Sequence, residues 1–309
     1  MNDTAGIKVP VMRKKRNVEQ RRETAMGFFF VGPMLIGLTI FTLLPILATM
    51  YLSLTEWNFI AGIDKIKFVG LDNFIRLFHD PIFLQSMKNN AVLMITIPIT
   101  MLISLLLAII INKHVYLKGF FKVIYFMPYI STIVAIAVVY QVLFHPSFGP
   151  VNQFLMSIGV DNPPKWLADI KFSLYSVMMI QVWSGIGFSL IIYMAGLQNI
   201  PQDLYEAADI DGASTWHKLH SITLPMLSPT SFFLLVTGII GTFKIYDLIA
   251  VLTSGGPADS TNVMVYYLVE TAFVNLKTGY ASSMGIMLLI ITLAITMIQW
   301  VAQKKWVNY

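Results

Sequence analysis

The sequence predicts an all-α integral membrane protein with six transmembrane helices, and three observations carry that reading. Of the 309 residues 56% are apolar and only 12% charged, about half the charged share of an ordinary soluble domain. Apolar stretches of roughly 20 residues or more recur along the chain, the length that crosses a hydrocarbon core as a helix. Of the 37 charged residues, 35 fall outside those stretches. Too little polar surface remains for a cytosolic enzyme, and intrinsic disorder is excluded by the same composition. The alternating short strands of a membrane barrel are absent. With no cysteine, a disulfide framework and thiolate chemistry are excluded.

A basic segment, residues 1–26, precedes the first span and contains the run Arg13-Lys14-Lys15-Arg16. The spans are expected at Gly27 to Met50, Ala91 to Ile111, Ile124 to Phe144, Leu174 to Leu197, Ser228 to Leu252 and Ser283 to Ala302. The first is too long for a signal-peptide core and lacks a small-x-small cleavage site after it, so it is expected to be retained. Pro45, Pro98 and Pro128 predict kinks in the first three spans. Six spans place both termini on one side. That side holds thirteen of the 21 Lys and Arg residues, the opposite loops hold seven, and Lys244 lies within the fifth span. The excess of basic residues puts both termini in the cytoplasm. The basic run is then an orientation signal, and nucleic acid is not an expected partner. Tyr51, Trp57, Trp300 and Trp306 suit interfacial anchors beside membrane lipid.

Catalysis would need nucleophiles, acid–base pairs or metal ligands gathered in one place. The five histidines are scattered. Only His217 and His220 are close; with Asp209 or Asp211 they could offer metal ligands, but a solvated surface suits them better. No Gly-rich phosphate loop is present, so this chain is not expected to hydrolyse ATP. Lys244 and Asp247 lie three apart near one end of the fifth span. Intramembrane charges are costly and tend to pair, which leaves a pathway-lining pair and an internal structural ion pair both open. In span four, Gln181, Ser184, Gly185, Phe188 and Ser189 share one face, as do Gly238, Gly241 and Thr242 in span five. Small residues in rows let membrane helices pack closely. Yet an aromatic beside amide and hydroxyl groups also suits a sugar ring, so both stripes are candidate walls of one cavity. The outer segment Thr261 to Asn275 has helical periodicity.

The fourth loop, residues 199–225, is the most informative. Pro201 suits a helix start, Asp203 and Glu206 sit early where the helix dipole favours acids, and Gly212 suits a left-handed stop. Ser214 can cap a second short helix, with Pro225 ending it before span five. The expected product is a helix–turn–helix on the cytoplasmic face, smoothed by Ala207, Ala208 and Ala213.

Glu206-Ala207-Ala208, Asp211-Gly212-Ala213 and then Ile222, Leu224 and Pro225 resemble the EAA loop of binding-protein-dependent ABC importer permeases. Phe68-Val-Gly-Leu-Asp-Asn-Phe74, Leu252-Thr-Ser-Gly-Gly-Pro257 and Gly279-Tyr-Ala-Ser-Ser283 resemble the carbohydrate-uptake branch, the maltose and glycerol-phosphate type. The likeness runs from about residue 27 to the C-terminus. It implies the MetI-like permease fold over residues 27–309 and a multi-pass place in a prokaryotic plasma membrane. It also implies a second, homologous permease, two ATP-binding subunits and an extracytoplasmic solute-binding protein that delivers a sugar. No cofactor is then expected in this chain, ATP and Mg being held by the partner subunits. Glu206, Ala207, Ala208, Asp211, Gly212 and Ala213 would couple to an ATP-binding subunit. Substrate contacts would fall on spans four and five, on Gln181, Ser184, Gly185, Phe188, Gly241 and Thr242. A non-sugar ABC substrate is the main alternative; an ion-coupled carrier would want repeats and more buried acids than this chain has.

Overall fold

A computed structural model describes residues 13–114 and 116–307. The first twelve residues of the basic segment, Val115 and the last two residues lie outside the described part. The chain forms two compact units, Met1–Tyr51 and Leu52–Tyr309. From the first, α1 (Arg13–Leu38) runs through a π-helical turn, Thr39–Leu43, into α2 (Leu44–Ser53), whose last two residues belong to the second. The wide turn sits just before Pro45, where the missing N–H and the ring would otherwise disrupt an α-helix.

The second unit opens with a two-stranded antiparallel ladder, β1 (Thr55–Glu56) against β2 (Lys67–Phe68). Next come α3 (Asp72–Leu77) and α4 (Pro81–Leu93). After a two-residue break follows α5 (Thr96–His114). Asp80 caps α4, its Oδ1 accepting from the N–H groups of Ile82 (2.9 Å) and Phe83 (3.2 Å). Its Oδ2 accepts from the hydroxyls of Tyr267 and Tyr280, both at 2.7 Å. Burial raises the Asp80 pKa, but these four donors outweigh it and hold the carboxyl below its ordinary value.

The second apolar helix therefore starts at Pro81, ten residues before the span expected from Ala91, and α4 with α5 makes one 32-residue candidate span. The third expected span is not one helix. It is α6 (Lys118–Ile130) and α7 (Ile133–Leu143), bent by 93°. Pro128 lies one turn before the bend, and Thr132 caps α7 by accepting from the Ala135 N–H at 3.4 Å. Beyond α8 (Pro150–Ser157), α9 (Ser173–Gln198) matches the fourth span.

The fourth loop folds into α10 (Gln202–Ile210), α11 (Thr215–Lys218), a π-helical turn over Leu219–Thr223 and α12 (Leu224–Met226). Pro225 does not end this element as expected. It sits inside, tolerated because the widened turn before it relieves the backbone, as at Pro45. A 60° bend joins the Thr215–Met226 segment to α13 (Ser228–Phe243). Here too the expected span is corrected: α13 stops at Phe243, and α14 (Asp247–Leu252) turns aside to pack on α7. Then come α15 (Met264–Val269), a π-helical turn at Glu270–Val274, and α16 (Thr278–Gln303). Among the described residues, four helices are long and apolar enough to cross a membrane, or six if each bent pair is one span.

Three buried clusters hold the second unit. Leu93, Val177, Ile180 and Ile249 belong to one near the start of α9; Phe83, Ile97, Phe243 and Tyr280 belong to another on α4, α5, α13 and α16. Ala108, Leu190, Tyr193 and Leu227 belong to the third, at the end carrying the fourth loop. Helices approach closely where side chains are absent. A Cβ on Gly187 of α9 would lie 2.1 Å from the Tyr125 carbonyl of α6, and one on Gly238 would meet Ile97 at 2.9 Å.

Candidate functional site: a polar-walled cavity

Between these clusters lies a cavity of about 510 Å³, walled by α5, α6, α7, α9 and α13, within the range of small-molecule sites. The residues expected on both stripes come together there: Gln181, Ser184, Gly185, Phe188 and Ser189 from α9, and Gly238, Gly241 and Thr242 from α13. A Cβ on Gly241 would meet nothing within 4 Å, so this glycine leaves the wall open, unlike the tightly packed Gly238.

Sequence reasoning missed the contributions of the other helices. Thr96 and Thr100 enter from α5, Tyr129 from the last turn of α6 and Ser131 from the residue after it, and Thr237 on α13 was passed over as well. Thr96 and Thr100 stood in plain view as hydroxyls four apart in an apolar run, a spacing that puts both on one face. Tyr129 stacks on Phe188, their ring centroids 5.0 Å apart. The 93° bend presents this ring, and nothing in the apolar pattern of Ile124 to Phe144 signalled the bend's angle.

The chemistry of the wall follows from its hydrogen bonds. Among the described residues, no Asp, Glu, Lys or Arg lines the cavity. Thr100 donates to the Thr96 carbonyl (2.7 Å), Ser131 to Met127 (2.9 Å), Ser184 to Gln181 (3.1 Å), Thr237 to Phe233 (2.8 Å) and Thr242 to Gly238 (3.1 Å). Each of these five hydroxyl protons is thus spent on a backbone carbonyl one turn back, leaving oxygen lone pairs for whatever enters. Gln181 Nε2 reaches Thr242 Oγ1 at 3.4 Å, while its Oε1 is buried without a partner. The cavity is rich in free acceptors, carries no charge, and has an aromatic stack on one wall.

Lys244 and Asp247 are not brought together as expected. Lys244 caps the end of α13 and Asp247 opens α14, so the helix that would have aligned them is broken between them. Both side chains are exposed, and no ion pair joins them among the described residues.

The fourth loop has its expected turn. Gly212 has φ +74°, the left-handed conformation that glycine adopts without strain. Ala213 N–H bonds back to the Ala208 carbonyl (2.8 Å) and Gly212 N–H to Asp209 (3.1 Å), the paired closure of a Schellman motif. Ser214 caps α11, accepting from the His217 N–H at 3.2 Å. Pro201 stands at the cap of α10 rather than inside its first turn. Two links brace the halves: Tyr205 Oη with Thr223 Oγ1 at 2.8 Å, and Lys218 Nζ with Asp209 Oδ1 at 2.5 Å. Glu206, Ala207, Asp211 and Gly212 are exposed, and Ala208 and Ala213 are half-buried. Ile210 and Trp216 are 87% and 70% exposed; the sequence reading had not singled them out.

Comparison with known proteins gives a consistent picture. Residues 100–307 match the family described as "Binding-protein-dependent transport system inner membrane component". The chain is 33% identical to the "Probable ABC transporter permease protein YurN" of Bacillus subtilis, over 88% of this chain and 94% of that protein. It is 31% identical to the lactose transport system permease protein of Rhizobium radiobacter, over 90% and 94%. A chain from the crystal structure of a bacterial ABC transporter involved in import of the acidic polysaccharide alginate superposes with TM-score 0.81 and 25% identity, covering 95% of this chain and all of that one. The protein is mostly helical with the MetI-like importer permease fold. It belongs to the inner-membrane components of binding-protein-dependent transport systems.

Proposed function

We propose that this chain is a permease subunit of an ATP-driven, binding-protein-dependent importer of a neutral sugar, an oligosaccharide being the best fit to the cavity's size. The observation that carries the sugar reading is the wall of uncharged acceptors beside the Tyr129–Phe188 stack. A sugar supplies what that wall lacks: many O–H donors and an apolar ring face for the aromatic side. The absence of Lys and Arg argues against a carboxylated or phosphorylated sugar. The lactose transport relative agrees with a neutral solute, whereas the alginate importer moves an acidic polysaccharide and a 32% identical relative serves sn-glycerol-3-phosphate, so the wall alone carries the neutral reading.

In this reading the bent pairs each count as one span. Six spans then cross the plasma membrane with both termini in the cytoplasm, as the Lys and Arg distribution supports. A second homologous permease completes the pathway. The fourth loop seats in one of two ATP-binding subunits, with Glu206, Ala207, Ala208, Asp211, Gly212 and Ala213 at the contact and Ile210 and Trp216 as apolar anchors. Because this loop bends directly into α13, movement of the ATP-binding subunits would be carried to Gly241 and Thr242 in the cavity. ATP and Mg are bound by those subunits, and a solute-binding protein outside delivers the sugar. Co-purification under mild detergent tests the assembly. Recovery of an ATP-binding subunit and a second permease is the expected result; isolation of the chain alone in several detergents would refute it.

A further inference from the structure

Adjacent asparagines in the last turn of α4, Asn89 and Asn90, are buried at 2% and 0% exposure. Consecutive helical residues point about 100° apart, and the two serve different neighbours. Asn89 Nδ2 donates to the carbonyls of Asp259 (3.1 Å) and Asn262 (2.8 Å), binding the segment between α14 and α15. Asn90 Nδ2 donates to the Thr242 carbonyl at 3.1 Å, and its Oδ1 accepts from the Met264 N–H at 2.9 Å.

Both partners of Asn90 are helix ends. At the break after α13, the Lys244 N–H turns back to Gly241 at 3.1 Å, and the Thr242 carbonyl is one of the acceptors a helix terminus leaves over. Met264 begins α15, where Val263 offers no side-chain cap. One buried amide therefore closes the end of α13 and the start of α15. Thr242 is also where Gln181 makes its 3.4 Å contact inside the cavity. The contacts run without a gap from Met264 through Asn90 and Thr242 to Gln181.

We infer that Asn90 is a positioning residue of the transport site. It does not line the cavity; it fixes Thr242, and through it the Gln181 amide, relative to the segment that ends at Met264, and passes movement of that segment to the cavity wall. The inference rests on the reading of the cavity as a sugar site.

Coupling of this kind is demonstrated by a double-mutant cycle, not by adjacency. The assay is uptake by proteoliposomes holding the complete transporter, with radiolabelled lactose, maltose and trehalose as probes and kinetics taken on whichever the wild type accumulates. Asn90→Asp keeps the size and the acceptor for Met264 but, in its ionised form, loses the donor to Thr242; Asn90→Leu loses both. Per folded transporter, Asn90→Asp is expected to raise the half-saturating concentration about tenfold with maximal rate within about twofold; in the Gln181→Ala background the same change should be under about twofold. Should Asn90→Leu fail to assemble, Asn90→Asp carries the cycle alone. Equal effects of Asn90→Asp in both backgrounds, or a loss of folded protein with unchanged kinetics per molecule, would overturn the inference and leave Asn90 a packing residue. A wild type that accumulates none of the probes, or uptake untouched by Gln181→Ala, refutes the sugar-site reading itself, and this inference falls with it.

Discussion

Replacing Gln181 by methionine should move stability and transport in opposite directions. The substitution keeps the length of the side chain and removes both amide atoms. Within the protein Oε1 is buried without a partner and Nε2 has only the 3.4 Å contact with Thr242. Exchanging the amide's oxygen and nitrogen does not help, because the Thr242 hydroxyl already donates to Gly238. An unsatisfied buried acceptor costs about 1–3 kcal/mol. Gln181→Met should therefore leave the melting temperature of the solubilised protein unchanged or raise it. With sugar bound the sign reverses, since an O–H that donated to Oε1 loses its acceptor. A loss of about 1–3 kcal/mol corresponds to a rise of roughly 5- to 150-fold in half-saturating sugar concentration. Thermal melts and concentration-dependent uptake measure the two effects on one preparation. A variant that melts lower while its half-saturation stays within about twofold would refute the reasoning and make Gln181 a packing residue.

Gly241→Trp places a ring into open space, so it should fold and assemble normally yet abolish uptake; failure to assemble would show that the site is packed shut. Gly187→Leu must push α9 off the Tyr125 carbonyl and should destabilise by about 3 kcal/mol or more, read as loss of folded protein in detergent. Asp80→Asn weakens the staple between α4, α15 and α16 and should lower stability by about 1–3 kcal/mol. Because the folded carboxyl titrates below its ordinary value, its contribution is present above the unfolded pKa and is lost as pH falls through the folded one. The wild type should therefore lose this advantage over the variant only in acid below the ordinary carboxylate range, as melts across pH would reveal.

The turn at Gly212, the Ser214 cap and the two small-residue stripes were legible because each is a local rule: a left-handed glycine, a capping hydroxyl, a 3.6-residue period. The broken helices were not, because apolar residues continue across each break and composition alone cannot place one. Signals for one of them, and for the early start of α4, were nevertheless present. Asp80-Pro81 is a cap followed by proline at the first helical position, which dates the start of α4; reading the span from Ala91 left Asn89 and Asn90 outside it. Ser131-Thr132 after Pro128 marks the stop and cap between α6 and α7. At Lys244 to Tyr246 no such punctuation exists. The end of α13 there is met by contacts from Asn90, 152 positions earlier in the chain, and non-local satisfaction of that kind has no periodic signature.

In the proposed cycle ATP, through partner subunits, drives a neutral sugar across the cavity walled by α9 and α13. Its most direct test is accumulation of radiolabelled sugar in proteoliposomes containing the complete transporter and its solute-binding protein, with ATP supplied to the side bearing the fourth loop and ion gradients collapsed by ionophores. The expected result is accumulation that requires ATP and the binding protein and is abolished by Gly241→Trp. Accumulation that persists without ATP and vanishes with the ion gradient would contradict it.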